Sequence, residues 1–160
     1  EEKGCKKSIQ YQRKRGKNYG AVKGSRGDGG WDVRWYREGT SIRATRIDPR
    51  ESRILATGCM YAIPRGFMME IKNKSSVAAK KHLLVGACVV DSGYMGEVFV
   101  NLHNVGTIDQ VIEPGDKIAQ AVIVPVIHAR FVACETPDIY DWYPITISNR
   151  GDGALGSTGQ

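Results

Sequence analysis

Glu97-Val98-Phe99-Val100-Asn101-Leu102-His103 alternates with period two: Val98, Val100 and Leu102 lie on one side of an extended chain, with Asn101 and His103 on the other. That is the pattern of a strand with one face in a core. Downstream, Ala121 to Ile127 is a β-branched run broken by Pro125, which implies an edge position or a bulge at that residue. Turn clusters punctuate the chain around these runs: Gly27-Asp28-Gly29-Gly30, Asp48-Pro49-Arg50, Ile63-Pro64-Arg65-Gly66, Val105-Gly106 and Glu113-Pro114-Gly115-Asp116. A turn about every ten residues predicts an all-β sandwich or barrel. One short helix is predicted from Ser76 to Lys81, where good helix formers follow Ser75, a residue able to cap them.

The chain has 160 residues, of which 41% are apolar and 25% charged, enough for a single domain with a real core and too ordered in composition for general disorder. It contains no run of roughly 18 to 20 apolar residues and no apolar stretch near its start, so neither a membrane span nor a secretion signal is expected. The net charge is +6, and much of it gathers in Lys3, Lys6, Lys7, Arg13, Lys14, Arg15, Lys17, Lys23 and Arg26. Residues 1–26 are therefore read as a solvated basic arm, partly a first strand, with polyanion contact as the sharper alternative. Nucleic acid is not the expected partner. Residues 27–147 form the β domain, and residues 148–160, rich in Gly, Ser, Asn and Thr, form a flexible C-terminal arm. Cys5, Cys59, Cys88 and Cys134 lie far apart with no zinc spacing, which suits reduced thiols in an intracellular protein, cytoplasmic or nuclear.

Five segments carry polar chemistry that packing explains poorly. Asp91-Ser92-Gly93-Tyr94 sits in a tight turn between apolar strands and presents a carboxylate able to take a proton from water beside a ring able to stack on a sugar or base. Asn73-Lys74-Ser75-Ser76 would set a cation and two hydroxyls at a helix start, where free amides favour phosphate. Gly115 to Gln120 is a turn leading into a strand with one polar residue among apolar ones, and Gly29-Gly30-Trp31-Asp32-Val33 exposes an acid after a turn. Arg150-Gly151-Asp152-Gly153-Ala154-Leu155-Gly156-Ser157-Thr158-Gly159 offers a guanidinium fork, hydroxyls and close-approach amides, the ingredients of a phosphate clamp. His82, His103 and His128 pair with no nucleophile, Trp31, Trp35 and Trp142 read as packing residues, and Glu97 reads as a solvent-facing strand residue.

In order and spacing these segments resemble the five motifs of the trimeric dUTPase (deoxyuridine 5'-triphosphate nucleotidohydrolase) family, from about Ser25 to Gln160. The resemblance implies a distorted β jelly roll, a homotrimer, and a C-terminal arm that closes over a neighbouring subunit's site. It implies Mg²⁺-dependent hydrolysis of dUTP to dUMP and pyrophosphate by water attack on the α-phosphorus, serving nucleotide-pool sanitation and dUMP supply. By the same resemblance Asp91 activates the water, and Tyr94 packs on deoxyribose and excludes UTP. Lys74, Ser75, Ser76 and Gln120 bind the phosphate chain. Val85, Gly86, Cys88 and Val90 belong to the hairpin whose backbone reads uracil, while Arg150, Gly156, Ser157 and Thr158 grip the outer phosphates and Leu155 covers the base. Asp32 acts on the metal through water, and Mg²⁺ is held chiefly by the phosphates.

Three positions depart from the family pattern. Leu155 stands where an aromatic residue is usual and gives up base stacking of about 1 kcal/mol. Cys88 stands where Gly is usual, so a side chain meets the base edge. Lys74 replaces Arg, exchanging a bidentate fork for a point charge. These departures keep two alternatives open: a pyrophosphatase for another, modified deoxypyrimidine triphosphate, and a non-catalytic regulatory relative.

Overall fold

The computed structural model describes residues 9–13, 27–36, 43–135 and 139. It is a mostly β fold with one short helix, and the strands follow the turn rhythm of the sequence. In chain order they are β1 (Gln10–Arg13), β2 (Gly30–Arg34), β3 (Thr45–Ile47), β4 (Ser52–Ala56), β5 (Cys59–Ala62), β6 (Phe67–Lys72), β7 (Leu83–Val85), β8 (Val89–Val90), β9 (Phe99–Asn104), β10 (Gln110–Ile112) and β11 (Lys117–Pro125), with α1 (Ser75–Lys81) between β6 and β7. Every pairing is antiparallel. The sheets run β2-β11-β6-β8, β4-β9-β7, β10-β3 and β1-β5. Chain-distant neighbours such as β2 and β11 are the mark of jelly-roll connection rather than of a simple meander.

The alternation that opened the sequence reading is borne out. Val98, Val100, Leu102 and Asn104 point inward while Phe99, Asn101 and His103 point outward, on a strand that starts two residues later than the quoted stretch. Val98, Val100 and Leu102 join Val33, Ile47, Leu55, Met69, Ile71, Leu83, Ile112 and Ala121 in one continuous core drawn from the two larger sheets and the β10-β3 pair, with Val77 of α1 among them. Val100 and Leu102 are fully buried, each stabilising the fold by roughly 1.5–3 kcal/mol. The one buried amide in this row is satisfied: Asn104 Nδ2 donates to the carbonyls of Ile47 and Ile108, and its Oδ1 accepts from the Gly106 amide.

Turn chemistry fixes the register. Glu113-Pro114-Gly115-Asp116 has Pro second and Gly third at φ +93°, closed by the Asp116 amide on the Glu113 carbonyl at 3.0 Å. It delivers Lys117 to the head of β11. A bulge between Lys117 and Ala119 then lets Ile118 and Ala119 both be buried. β11 is central over most of its length, but its pairing with β2 ends at Val122, so Pro125 has only β6 beside it and its missing N–H breaks no ladder on the other side.

The helix differs from expectation at its start. It begins at Ser75, and the residue before it is Lys74, with no side-chain cap; the Lys74 carbonyl takes the amides of Val77 and Ala78. The Lys74 side chain is engaged elsewhere, with Asp32, as described below. Residues 1–128 form one compact unit and 129–160 another. In the second, residues 129–135 carry no regular structure. No helix among the described residues is long and apolar enough to cross a membrane.

Candidate functional site

Two polar groups stand out. The first is built on β2, β11 and the β6–α1 junction. In the sheet, Gln120 lies between Asp32 on one side and Lys72 on the other. Asp32 is only 4% exposed, which corrects the expectation of an acid displayed after a turn: the strand carries it inward. Its two oxygens are each taken by an ammonium group, Lys74 Nζ on Oδ1 and Lys117 Nζ on Oδ2, both at 2.7 Å. Burial alone would raise the Asp32 pKa, but hydrogen bonds and Coulombic attraction from Lys117 and Lys74 outweigh it and hold the carboxyl below its ordinary value. Lys117 was missed from the sequence, where it looked like part of a turn. Ser75 and Ser76 are exposed on the first turn of α1.

The second group is the connection between β8 and β9, which is not the expected hairpin: β8 pairs with β6, and β9 with β4 and β7. Asp91 to Tyr94 is a closed turn, with the Tyr94 amide on the Asp91 carbonyl at 3.3 Å and Gly93 at φ +93°. The Tyr94 hydroxyl donates to the Glu97 carbonyl at 2.9 Å, which pins the ring. Glu97 is half-buried, and its Oε1 accepts the Gly58 amide at 2.8 Å, so it ties the β8–β9 connection to the residue before β5 and is not the solvent-facing residue expected. A cleft of about 260 Å³ opens here, lined by Cys88, Val90, Asp91, Tyr94, Phe99 and their neighbours. Asp91 is exposed at its mouth.

Cys88, Val90, Asp91 and Tyr94 thus meet around one cleft. Val85 and Gly86 do not line it: the Val85 amide donates to Asn73 Oδ1 at 2.7 Å and the Gly86 amide to the Asn101 carbonyl at 2.9 Å. The Cys88 carbonyl is also engaged, by the Ile71 amide at 2.7 Å. Asp32, Lys74, Ser75, Ser76 and Gln120 are absent from the cleft lining and gather at the first group's end of the sheet. Arg150, Leu155, Gly156, Ser157 and Thr158 lie outside the described residues, as does Trp142. Trp35 is a core residue, as expected. His82 ends α1 in the left-handed region, and His103 Nε2 lies 3.2 Å from Asn101 Nδ2.

Among the described residues no three His, Cys, Asp or Glu side chains cluster as a metal cage. Both Asp32 oxygens carry ammonium groups, so this carboxylate fits contact with a hydrated Mg²⁺ through water and not direct ligation.

An antiparallel, jelly-roll-like β fold thus carries a carboxylate and a tyrosine at one cleft and, apart from it, two lysines gathered on a buried aspartate. The dUTPase family model matches residues 21–159. The deoxyuridine 5'-triphosphate nucleotidohydrolase of Maricaulis maris (strain MCS10) is 37% identical over 118 residues, covering 71% of this chain and 70% of that one. Its counterpart from Chlamydia trachomatis serovar D is 33% identical over 129 residues, 76% and 84% of the two chains. The chain belongs to the dUTPase family.

Solved structures agree on the fold. The dUTPase of Staphylococcus bacteriophage 80alpha with dUpNHpp superposes with a TM-score of 0.79 over 96% of this chain and 99% of that one, at 21% identity. A mutant dUTPase from phage phi11 of S. aureus, whose structure concerns coordination of a structural Mg(II) ion, gives 0.71 at 20% identity over 81% and 98%.

Proposed function

We propose that this protein hydrolyses dUTP to dUMP and pyrophosphate as a Mg²⁺-dependent homotrimer, in the service of nucleotide-pool sanitation and dUMP supply. The observation that carries this reading is the Asp91–Tyr94 turn: one hydrogen-bonded turn puts an exposed carboxylate and a pinned ring at the same cleft. The Asp91 carboxylate orients a water for attack on the α-phosphorus and takes its proton. The Tyr94 ring packs on deoxyribose and leaves no space for a 2'-hydroxyl. Cys88 and Val90 border the base, with Val85 and Gly86 supporting their loop from behind. When bound, Mg²⁺ neutralises the phosphate oxygens and the charge that develops on the leaving pyrophosphate.

Lys74, Ser75, Ser76 and Gln120 serve the phosphate chain, and Asp32 positions Lys74 and contacts the hydrated metal through water. Their separation from the cleft lining supports an assembly in which one copy's phosphate residues face another copy's cleft. Residues 148–160 close over it as an arm, with Arg150, Gly156, Ser157 and Thr158 on the outer phosphates and Leu155 on the base. Residues 27–147 are the body of the domain and 1–26 the basic arm that contributes β1.

Pyrophosphate release should be measured across dUTP, UTP, dCTP and dTTP, with Mg²⁺ and with EDTA. Cleavage of dUTP that needs Mg²⁺ and fails with UTP is expected; intact dUTP rejects the reading. Asp91→Asn should lower kcat by about 10²–10⁴ with little change in KM. Because Cys88 lines the cleft, a second reading holds that another deoxypyrimidine triphosphate is preferred, and the same panel then finds that nucleotide cleaved faster than dUTP.

A further inference from the structure

Two backbone segments meet beside the Asp91 cleft: residues 57–59, which lead into β5, and Glu97-Val98, which lead into β9. Three hydrogen bonds join them. The Val98 amide donates to the Cys59 carbonyl at 2.9 Å, the Thr57 hydroxyl to the Val98 carbonyl at 2.7 Å, and the Gly58 amide to Glu97 Oε1 at 2.8 Å. The first two hold Val98 to the core. The third reaches the residue that also holds Tyr94, whose hydroxyl donates to the Glu97 carbonyl at 2.9 Å. Gly96 lies against the same ring: a Cβ there would stand 2.6 Å from Tyr94 Cζ, so the ring rests directly on backbone. Glu97 itself lines the cleft.

On the reading of Tyr94 given above, we propose that Glu97 is a positioning residue for sugar selection. Its carboxylate, held by the Gly58 amide, fixes the Gly96-Glu97 backbone against which the Tyr94 ring stands, and so sets how closely the ring excludes a 2'-hydroxyl.

The donor of this bond belongs to the packed body of the protomer. Gly58 is at φ +68°, and a Cβ on it would fall 2.6 Å from Cδ1 of Tyr36, a residue 8% exposed, so close packing sets the direction of the donating amide. The acceptor belongs to a connection that is otherwise open: Asp91, Gly93, Tyr94 and Met95 are all exposed. The Glu97 carboxylate therefore carries the order of the core out to a turn that has little packing of its own. Exclusion of one hydroxyl by contact fails once the ring can retreat by about 1 Å, which is why the backbone behind the ring must be held. The Tyr94 hydroxyl bond does not set the ring alone, because Gly96 backs it as well; the carboxylate fixes the backbone beneath both contacts.

The test uses the full chain, with initial rates on dUTP and UTP and thermal unfolding measured on the same samples. Glu97→Ala should raise the UTP-to-dUTP ratio of kcat/KM at least about tenfold. The rise should come from faster UTP cleavage and not from slower dUTP cleavage, because the Asp91 turn keeps its own hydrogen bond. Glu97→Gln retains an Oε1 acceptor for the Gly58 amide and should recover most of the wild-type ratio. Glu97→Asp keeps the carboxylate but shortens its reach by a methylene, so its ratio should rise too, and it carries the test if the alanine variant does not fold. Ile112→Val, a core change off the cleft lining, should lower Tm and leave the ratio at its wild-type value. A ratio unmoved in Glu97→Ala, or in Glu97→Asp where the alanine variant does not fold, overturns the assignment and leaves the dUTP reading intact. So does a glutamine variant that loses as much selectivity as alanine, or an equal rise in Ile112→Val. A wild-type protein that leaves dUTP uncut, or cuts UTP as readily, rejects the reading of Tyr94 and this assignment with it.

Discussion

Replacing Asp32 by Asn keeps the shape of the side chain and removes its charge, leaving two lysines with no counter-ion at a site 4% exposed. Breaking a fully buried pair by removing one partner costs ~3–5 kcal/mol, because the stranded charge stays dry. Here the stranded groups have an escape: the Lys74 side chain is 20% exposed and that of Lys117 41%, so both can turn to water. The cost is therefore placed lower, at about 2–3 kcal/mol, and for a chain of this size that lowers Tm by roughly 5–10 °C. The pH dependence has a definite sign. Asp32 has a folded-state pKa below its ordinary value, because Lys117 and Lys74 outweigh the effect of burial. Its contribution is then complete above the unfolded carboxylate pKa of about 3.9 and is lost as pH falls through the lower folded value. Urea unfolding of wild type and Asp32→Asn at one protomer concentration should give the full difference at pH 7, unchanged at pH 5 and shrinking below pH 4. Equal stability at pH 7, or a difference that does not narrow in acid, would refute the account of Asp32 as the anion that gathers the lysines.

Gly58→Ala should destabilise by about 2–5 kcal/mol, since Gly58 sits at φ +68° and a Cβ would fall 2.6 Å from Cδ1 of the buried Tyr36; thermal unfolding checks it. Tyr94→Phe loses only the hydroxyl bond to the Glu97 carbonyl, about 0.5–1.5 kcal/mol of stability, and should keep discrimination against UTP. Tyr94→Ala should raise the ratio of UTP to dUTP kcat/KM, and an unchanged ratio would show that the ring does not exclude the 2'-hydroxyl. Cys88→Gly should lower KM for dUTP by opening the base edge, read from initial rates across the nucleotide panel.

What the sequence disclosed was local chemistry. The alternation of β9 is visible because one face is buried and the other is not, and the turns at Pro64-Arg65-Gly66 and Pro114-Gly115 are visible because φ demands are met by neighbours in the chain. Asp91 and Tyr94 were found together for the same reason, lying in one turn. The partnership of Asp32 with Lys117 was not legible, because it depends on the pairing of β2 with β11 and on the bulge that follows Lys117. Glu97 was misread because its partner, the Gly58 amide, is oriented by packing on Tyr36. β3 and β10 are three residues long, too short for periodicity to reveal them.

The same topology that hid the Asp32 cluster explains why the chemistry is divided. β11 and β2 lock Asp32, Lys117 and Gln120 into the body of one sheet, where the buried Asp32 carboxylate holds Lys74 and Lys117 by ion pairs at 2.7 Å. The Asp91 turn instead projects from the β8–β9 connection and is fastened at Gly58 and through the Tyr94 hydroxyl. If the Asp32 cluster serves the phosphates and the Asp91 cleft the base, as proposed, they act on one substrate only when something brings the two together. The trimer proposed above does this by setting one copy's phosphate-chain residues against another copy's cleft. Turnover should therefore fall with dilution in step with trimer dissociation, and activity per protomer that stays constant through that transition would break the link between assembly and site.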